Sequence, residues 1–264
     1  MNRKQSVPFA LAACGLLIAA CGSSATSAST AAGTPAAGST ADWSCVSAVQ
    51  TASASRMSPQ LTVHATDAIL SRALPGLTVR TCAALPCAKP LAEAVTDMDG
   101  LAMLSPTGAV VTIDGESTFE SVPSGRPIPT NVFYVAQGQT SLEADVLDSI
   151  GVVVAAQLAG ARLLAGRGIV EARILDCGGA LAPGVTLSIA GSDASTIVRY
   201  VTGNQAAATG SQATDSSGAG TVFDVPAGAF RVDATDLASG AIEASQEGYV
   251  PSQGVTHIDI RPVR

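Results

Sequence analysis

Several short stretches of this chain alternate apolar and polar residues with a period of two. Leu61, Val63 and Ala65 alternate with Thr62, His64 and Thr66; Val170, Ala172 and Ile174 with Glu171 and Arg173; Thr256, Ile258 and Ile260 with His257, Asp259 and Arg261. That period places one set of side chains on a buried sheet face and the other towards water. Gly and Pro punctuate the strands at Pro75-Gly76, Gly178-Gly179, Pro183-Gly184, Gly218 to Gly220 and Pro226-Ala227-Gly228, where turns need positive φ or a φ fixed near −65°. Many short strands so separated predict β-sandwiches. One segment breaks the pattern: Thr140-Ser141-Leu142-Glu143 reads as a capping box, with Leu142, Val146, Leu147, Ile150, Val154 and Leu158 following at helical spacing. Asp145 and Asp148 lie towards its start and Gly160 is a natural stop, so a helix is expected over 141–159. Val152 to Val154 pull the other way, because β-branched side chains favour a strand.

The strand pattern occurs twice. Leu61-Thr62-Val63-His64-Ala65-Thr66-Asp67, then Leu74-Pro75-Gly76-Leu77-Thr78-Val79, then Thr96-Asp97-Met98-Asp99-Gly100 is matched in order and chemistry. Its counterpart is Val170-Glu171-Ala172-Arg173-Ile174-Leu175-Asp176, Ala182-Pro183-Gly184-Val185-Thr186-Leu187 and Thr214-Asp215-Ser216-Ser217-Gly218. Each copy reads as strand, turn, strand, insert, turn, strand, which sets two modules. The boundaries that follow are a first sandwich over 43–139, a helical connector over 140–167 and a second sandwich over 168–264.

The first 42 residues are of another kind. Arg3 and Lys4 precede an apolar run from Val7 to Ala20, too short for a permanent membrane span. The run closes on Leu17-Ile18-Ala19-Ala20-Cys21, which resembles the lipobox of bacterial lipoproteins. The resemblance implies a signal peptide over 1–20, cleavage before Cys21, and acylation of its sulfur, with palmitate among the chains. Two readings compete: modification at Cys14 in Leu11-Ala12-Ala13-Cys14, behind a shorter apolar run, and a soluble secreted protein cut after Ala20. Gly22 to Asp42 is almost wholly Ser, Ala, Thr and Gly. Lacking bulky apolar residues to bury, it is expected to be a flexible linker off a membrane. Gly22 is not the aspartate that retains lipoproteins at the inner membrane in some bacteria, which points to the outer membrane.

Charge and cysteine usage narrow the classes further. Removing 1–20 takes Arg3 and Lys4 from 14 basic residues and none of the 21 acidic ones, leaving 12 against 21 and a net charge of −9. No basic stripe exists to neutralise phosphates, so nucleic acid is not an expected partner. Apart from Cys14 and Cys21, the chain has Cys45, Cys82, Cys87 and Cys177, an even set suited to an oxidising compartment. Four cysteines allow three pairings. The short Pro-containing loop between Cys82 and Cys87 favours that pair, which leaves Cys45 with Cys177. The histidines, His64 and His257, lie far from these cysteines and show no metal-ligand spacing.

Pro-Gly-x-Thr with a following apolar residue, Thr-Asp-x-x-Gly, and Thr221-Val222-Phe223-Asp224-Val225-Pro226-Ala227-Gly228 together resemble the carboxypeptidase regulatory-like family of transthyretin-type β-sandwiches. The Cys82 to Cys87 loop and Asp176-Cys177-Gly178-Gly179 further resemble lipoproteins of bacteria with large, GC-rich genomes. The resemblance spans roughly 58–135 and 168–263. It implies two tandem transthyretin-like, immunoglobulin-like β-sandwiches acting as non-catalytic accessories; with the helix read from residue spacing, an all-β chain with one short interdomain helix is expected. The related Cna-B-type modules carry an isopeptide bond from a first-strand lysine, but the chain's two lysines are Lys4 and Lys89, and neither is on a first strand.

The remaining residues offer little catalytic chemistry. No Gly-x-Ser-x-Gly elbow, metalloprotease helix or phosphate-binding loop occurs, and both histidines fall on polar strand faces. Asp97, Asp99 and Gly100 mimic the opening of a calcium loop, but its later ligands are missing and a turn explains the same residues. Sugar binding needs exposed aromatic rings. The chain has one Trp, three Tyr and five Phe; Phe133, Tyr134, Phe223 and Phe230 are expected in cores, Trp43 as an anchor for the first ordered residues, and Tyr200 and Tyr249 as ligand candidates. No cofactor is expected. The reading is an envelope lipoprotein that meets the membrane through its anchor and an envelope protein or polysaccharide through its body. Carbohydrate binding is the alternative, and a hydrolase a distant third.

Overall fold

The alternation at Leu61, Val63 and Ala65 becomes strand β1 (Leu61–Asp67), with those three side chains fully buried and Thr62, His64 and Thr66 part-exposed. In the computed structural model, described for residues 41–46, 60–117, 126–135, 138–202, 205–208 and 211–262, six further strands complete the first module. They are β2 (Thr78–Cys82), β3 (Ala92–Val95), β4 (Leu101–Leu104), β5 (Val110–Ser117), β6 (Arg126–Tyr134) and β7 (Ser141–Val146). Helix α1 (Ser149–Leu158) leads to β8 (Arg167–Ile174), β9 (Val185–Ile189), β10 (Ile197–Thr202), β11 (Gln205–Ala208), β12 (Ala219–Pro226), β13 (Gly228–Asp236), β14 (Ile242–Val250) and β15 (Val255–Ile260). All described residues fall within one unit, Ala37–Arg264.

Among the described residues the chain is all-β with one short helix, as the pattern predicts, but the modules are not beads on a connector. A nine-stranded sheet, β11-β10-β12-β8-β15-β6-β5-β2-β3, runs through both, and each module adds a three-stranded sheet, β4-β1-β7 or β14-β13-β9. β15 makes the join. It pairs in parallel with β8 of its own module and with β6 of the other, Val255 opposite both Ile169 and Asn131. The two small sheets cover opposite faces of the large one. Phe133, Val111 and Ile113 belong to the first core, whereas Val170, Ala172, Ile174, Ile258 and Ile260 belong to the second. His257 lies across from Phe133 on the same face, so its neighbour Ile258 points the other way.

Helix and strand exchange places at residue 147. Leu142, Ala144 and Val146 bury alternately in the first core while β7 pairs in parallel with β1. A period of four satisfies both templates at Leu142 and Val146, and burial against β1 decides for the strand. The helix starts only at Ser149, where the Asp148 carboxylate accepts the Gly151 N–H at 2.6 Å. Gly160, at φ +68°, ends it as expected. Val152 is buried in one cluster with Ile169, Phe223 and Val255 of the large sheet, so its tertiary burial overrides its strand preference, while Val153 and Val154 stay exposed. The expected boundaries shift accordingly: 141–146 belongs to the first sandwich, the helix is confined to 149–158, and residues 41–46 pack on the second sandwich rather than opening the first.

The internal repeat holds at atomic level. Thr96 Oγ1 donates to Leu74 O at 2.6 Å and accepts the Leu77 N–H at 2.9 Å; Thr214 Oγ1 donates to Ala182 O at 2.8 Å and accepts the Val185 N–H at 3.0 Å. Each buried hydroxyl thus clamps the Pro-Gly turn of its own module. Gly100 and Gly218 close the same motif at positive φ. A Cβ on Gly100 would stand 2.5 Å from Ala65 O, and one on Gly218 2.8 Å from Ile174 O.

The hydroxyl clamp and the positive-φ glycine are each testable. Thr214→Val leaves a buried N–H and a buried carbonyl unpaired, at about 1–3 kcal/mol per orphaned group. Gly218→Ala forces a left-handed residue against backbone, at about 1–3 kcal/mol for the conformation alone. Urea unfolding should show both variants destabilised, with Thr96→Val and Gly100→Ala matching them in the first module.

Candidate functional site

Three strands from two modules converge on His257. Its ring stacks on Phe133 from β6, centroids 4.3 Å apart and planes 1° from parallel. Nδ1 lies 3.0 Å from a Glu171 carboxylate oxygen on β8, and Nε2 3.2 Å from Asn131 Oδ1 on β6. Asn131 is fully buried, and its Nδ2 donates to Pro129 O at 2.8 Å and to Leu147 O at 3.4 Å, which turns Oδ1 towards the imidazole. Burial would raise the Glu171 carboxyl, but the hydrogen bond and charge of His257 outweigh it and hold Glu171 below its ordinary value.

A carboxylate on one imidazole nitrogen is half of a hydrolytic triad. The other half is a nucleophile on the second nitrogen, and here that nitrogen is taken by a carboxamide oxygen. The arrangement is a polar clip between sandwiches. His64 does not join it: it lies on the outer face of β1, with Nδ1 2.8 Å from Glu143 of β7. Glu171 had a sequence signal only as a polar position in an alternating strand, and Asn131 had none. Asp224, which the sequence offered only as one member of the Thr221 to Gly228 motif, is fully buried at φ +58° in the bulge of β12. Its carboxylate accepts the Leu164 N–H at 2.8 Å and stands 3.7 Å from Arg167.

Two clefts flank the shared sheet. One, of about 330 Å³, lies between β7 and α1 over Glu171, Thr221, Phe223 and His257. The other, of about 270 Å³, brings Tyr249 and Pro251 beside Arg80, Asp114 and Pro86. Arg80 is fixed there by Glu93 at 2.6 Å and by both Asp114 oxygens at 3.0 and 2.9 Å.

The two tyrosine candidates separate. Tyr249 lines the second cleft, but Tyr200 belongs to the core: it is 5% exposed, and its hydroxyl accepts the Leu187 N–H at 2.8 Å. Alternation in β10 turns it inward over the second core, correcting the expectation of an exposed ring. Phe133, Phe223 and Phe230 are buried as expected, and Tyr134 and Trp43 are half-buried against the second core. Cys82–Cys87 and Cys45–Cys177 are both disulfide-bonded, each with Cα atoms 5.7 Å apart. In the Asp97 turn, one carboxylate oxygen accepts the N–H groups of Asp99 and Leu101 at 3.0 and 2.9 Å. That is the Asx-turn role, with Asp99 exposed beside it. Among the described residues no group of three or more His, Cys, Asp or Glu is placed to hold a metal. Cys14, Cys21 and the segment 1–40 lie outside the described residues.

No family model matches the chain, and no curated protein does. Among solved structures, it is similar to the shaft pilin SpaA of Lactobacillus rhamnosus GG at 12% identity, with 78% of this chain and 97% of that one covered and a TM-score of 0.23. The minor pilin GBS52 of Streptococcus agalactiae gives 12%, 78%, 97% and 0.24. The major pilin subunit BcpA of Bacillus cereus gives 8%, 77%, 99% and 0.24. The sandwich assignment rests on the chain's own strand topology.

The Glu171 pairing has a signed pH dependence. A carboxyl lowered by folding contributes stability above its unfolded value, and that stability is lost as pH falls through the lower folded value. Urea midpoints measured from pH 7 down to 3 should fall less steeply in Glu171→Gln than in the parent chain.

Proposed function

We propose that this protein is a bacterial envelope lipoprotein, acylated on Cys21 and held at the outer membrane, whose body is a non-catalytic binding or structural accessory. The two modules are read as transthyretin-type sandwiches of the carboxypeptidase regulatory-like kind. The observation that carries the reading is the fastening where the linker ends. Asp42 N–H donates to Asp176 at 3.2 Å, Cys177 N–H donates to Asp42 O at 2.8 Å, Trp43 packs on the second core, and Cys45 is bonded to Cys177. A covalent root directly after a Ser/Ala/Thr/Gly tether suits a body that is held by that tether. Both disulfides suit an exported chain, and no helix among the described residues is long and apolar enough to cross a membrane. Two or three acyl chains, at about 0.8 kcal/mol per buried methylene, would anchor such a protein stably.

A polysaccharide partner is the second reading, favoured by Tyr249 in the cleft with Arg80 and Asp114. An aromatic face beside a fixed guanidinium–carboxylate pair offers both stacking and directed hydrogen bonds to a sugar. Specific glycan-array binding lost in Tyr249→Ala would establish it.

The anchor is tested by Cys21→Ser in the full chain. Palmitate labelling should disappear and the protein should move from the membrane fraction to the soluble one with its unfolding midpoint unchanged; full retention with membranes would sink the reading.

A further inference from the structure

The edge of β7 overhangs the larger cleft with backbone groups that no described residue bonds. Thr62 N–H donates to Thr140 O and Ala68 N–H to Val146 O, and that phase of a parallel ladder commits Leu142, Ala144 and Val146 to β1. The N–H and C=O of Glu143 and Asp145 therefore point away from β1. β7 ends its sheet on this side, and no backbone bond found among the described residues uses those groups. Ser141 O, one step earlier on the same edge, takes the Gln139 side chain at 2.6 Å. Edges of this kind pair readily with an added strand unless something opposes it.

What opposes or selects here is charge. The cleft is lined by Glu143, Asp145, Glu171 and Asp259 against Arg173, with His257 in its floor. Asp259 is paired with Arg173 at 2.8 Å and Glu171 with His257. Glu143 meets the imidazole of His64, and the Asp145 carboxylate accepts a hydrogen bond from the Thr66 hydroxyl at 3.0 Å. Neither rim carboxylate is paired with Lys or Arg among the described residues. Two such strands from separate copies would set these acids against each other, which is destabilising across a strand pair.

We propose that this cleft takes an extended basic segment of a partner protein, which adds to β7 as a fourth strand. Its backbone bonds the open groups of Glu143 and Asp145. One set of alternating side chains, Lys or Arg, lies beside those carboxylates, and the other lies over Thr221 and Phe223. The proposal rests on reading the body as a binding module and is independent of the lipid anchor.

The probe is a labelled acetyl-Val-Lys-Val-Lys-Val-Lys-amide peptide, titrated by fluorescence anisotropy into the full-length chain in detergent micelles. Saturable binding that weakens with salt is expected, at least tenfold weaker for E143K/D145K and several-fold weaker for E143Q/D145N. N-methylating alternate peptide nitrogens on the pairing edge should abolish it. Absence of saturable binding to the parent chain overturns the proposal. So does equal affinity for the methylated peptide, which would mean charge attraction without strand addition, or dimerisation of the parent chain through β7, which would make the occupant a second copy. Unfolding midpoints of the variants control for folding. Their fractionation with membranes should not change, so failure here and failure of the anchor reading are distinguishable.

Discussion

The whole body depends on one strand being shared. β15 satisfies its hydrogen bonds with β8 on one side and β6 on the other, so the sheet of each sandwich is completed at the expense of a free edge on both. The polar clip reinforces the join at the point of contact. His257 from the shared strand meets Glu171 of one module and Asn131 of the other, with Phe133 filling the ring's face. A buried polar cluster of this kind is costly unless its members are satisfied; here both ring nitrogens and the Asn131 amide have partners.

Because the two small sheets lie on opposite faces, each half of the large sheet leaves one face to be covered by something else. In the second half α1 does this, with its Val152 and Ala156 clustered with Phe223 of β12. In the first half the loop closed by Cys82–Cys87 and the Tyr249–Pro251 turn border the open face. The two clefts are therefore products of the same staggered architecture. Each lies where the edge strand of one small sheet overlooks the half-sheet of the neighbouring module.

Much of this was legible in the residues. Period-two alternation and the paired Pro-Gly and Thr-Asp-x-x-Gly turns are local, and local chemistry produces them: Thr96 and Thr214 clamp the turns that their spacing suggests. The disulfide loop of Cys82 and Cys87 was legible for the same reason. What was hidden depends on contacts distant in sequence. Leu142 and Val146 fit a helix as well as a strand until β1 is placed beside them. Tyr200 looks surface-going until its register with β12 sets it over the second core. Asn131 shows nothing at all, since its role arises from β15 arriving at β6. His257 was read as a polar-face residue, and it is one, but the face is at a module junction rather than in solvent.

That junction also orders events in time. β15 is the latest of the described strands in the chain, yet it fills the middle of the largest sheet. Neither half can hide its central edge until this segment has arrived, so the hydrogen-bonding groups of β6 and β8 stay open to other strands through most of synthesis. Non-local closure of this kind is slow, and exposed strand edges invite association meanwhile. A chain built this way has reason to remain in the care of holding factors until β15 is delivered, and loss of β15 would part the two sandwiches before it damaged either turn motif.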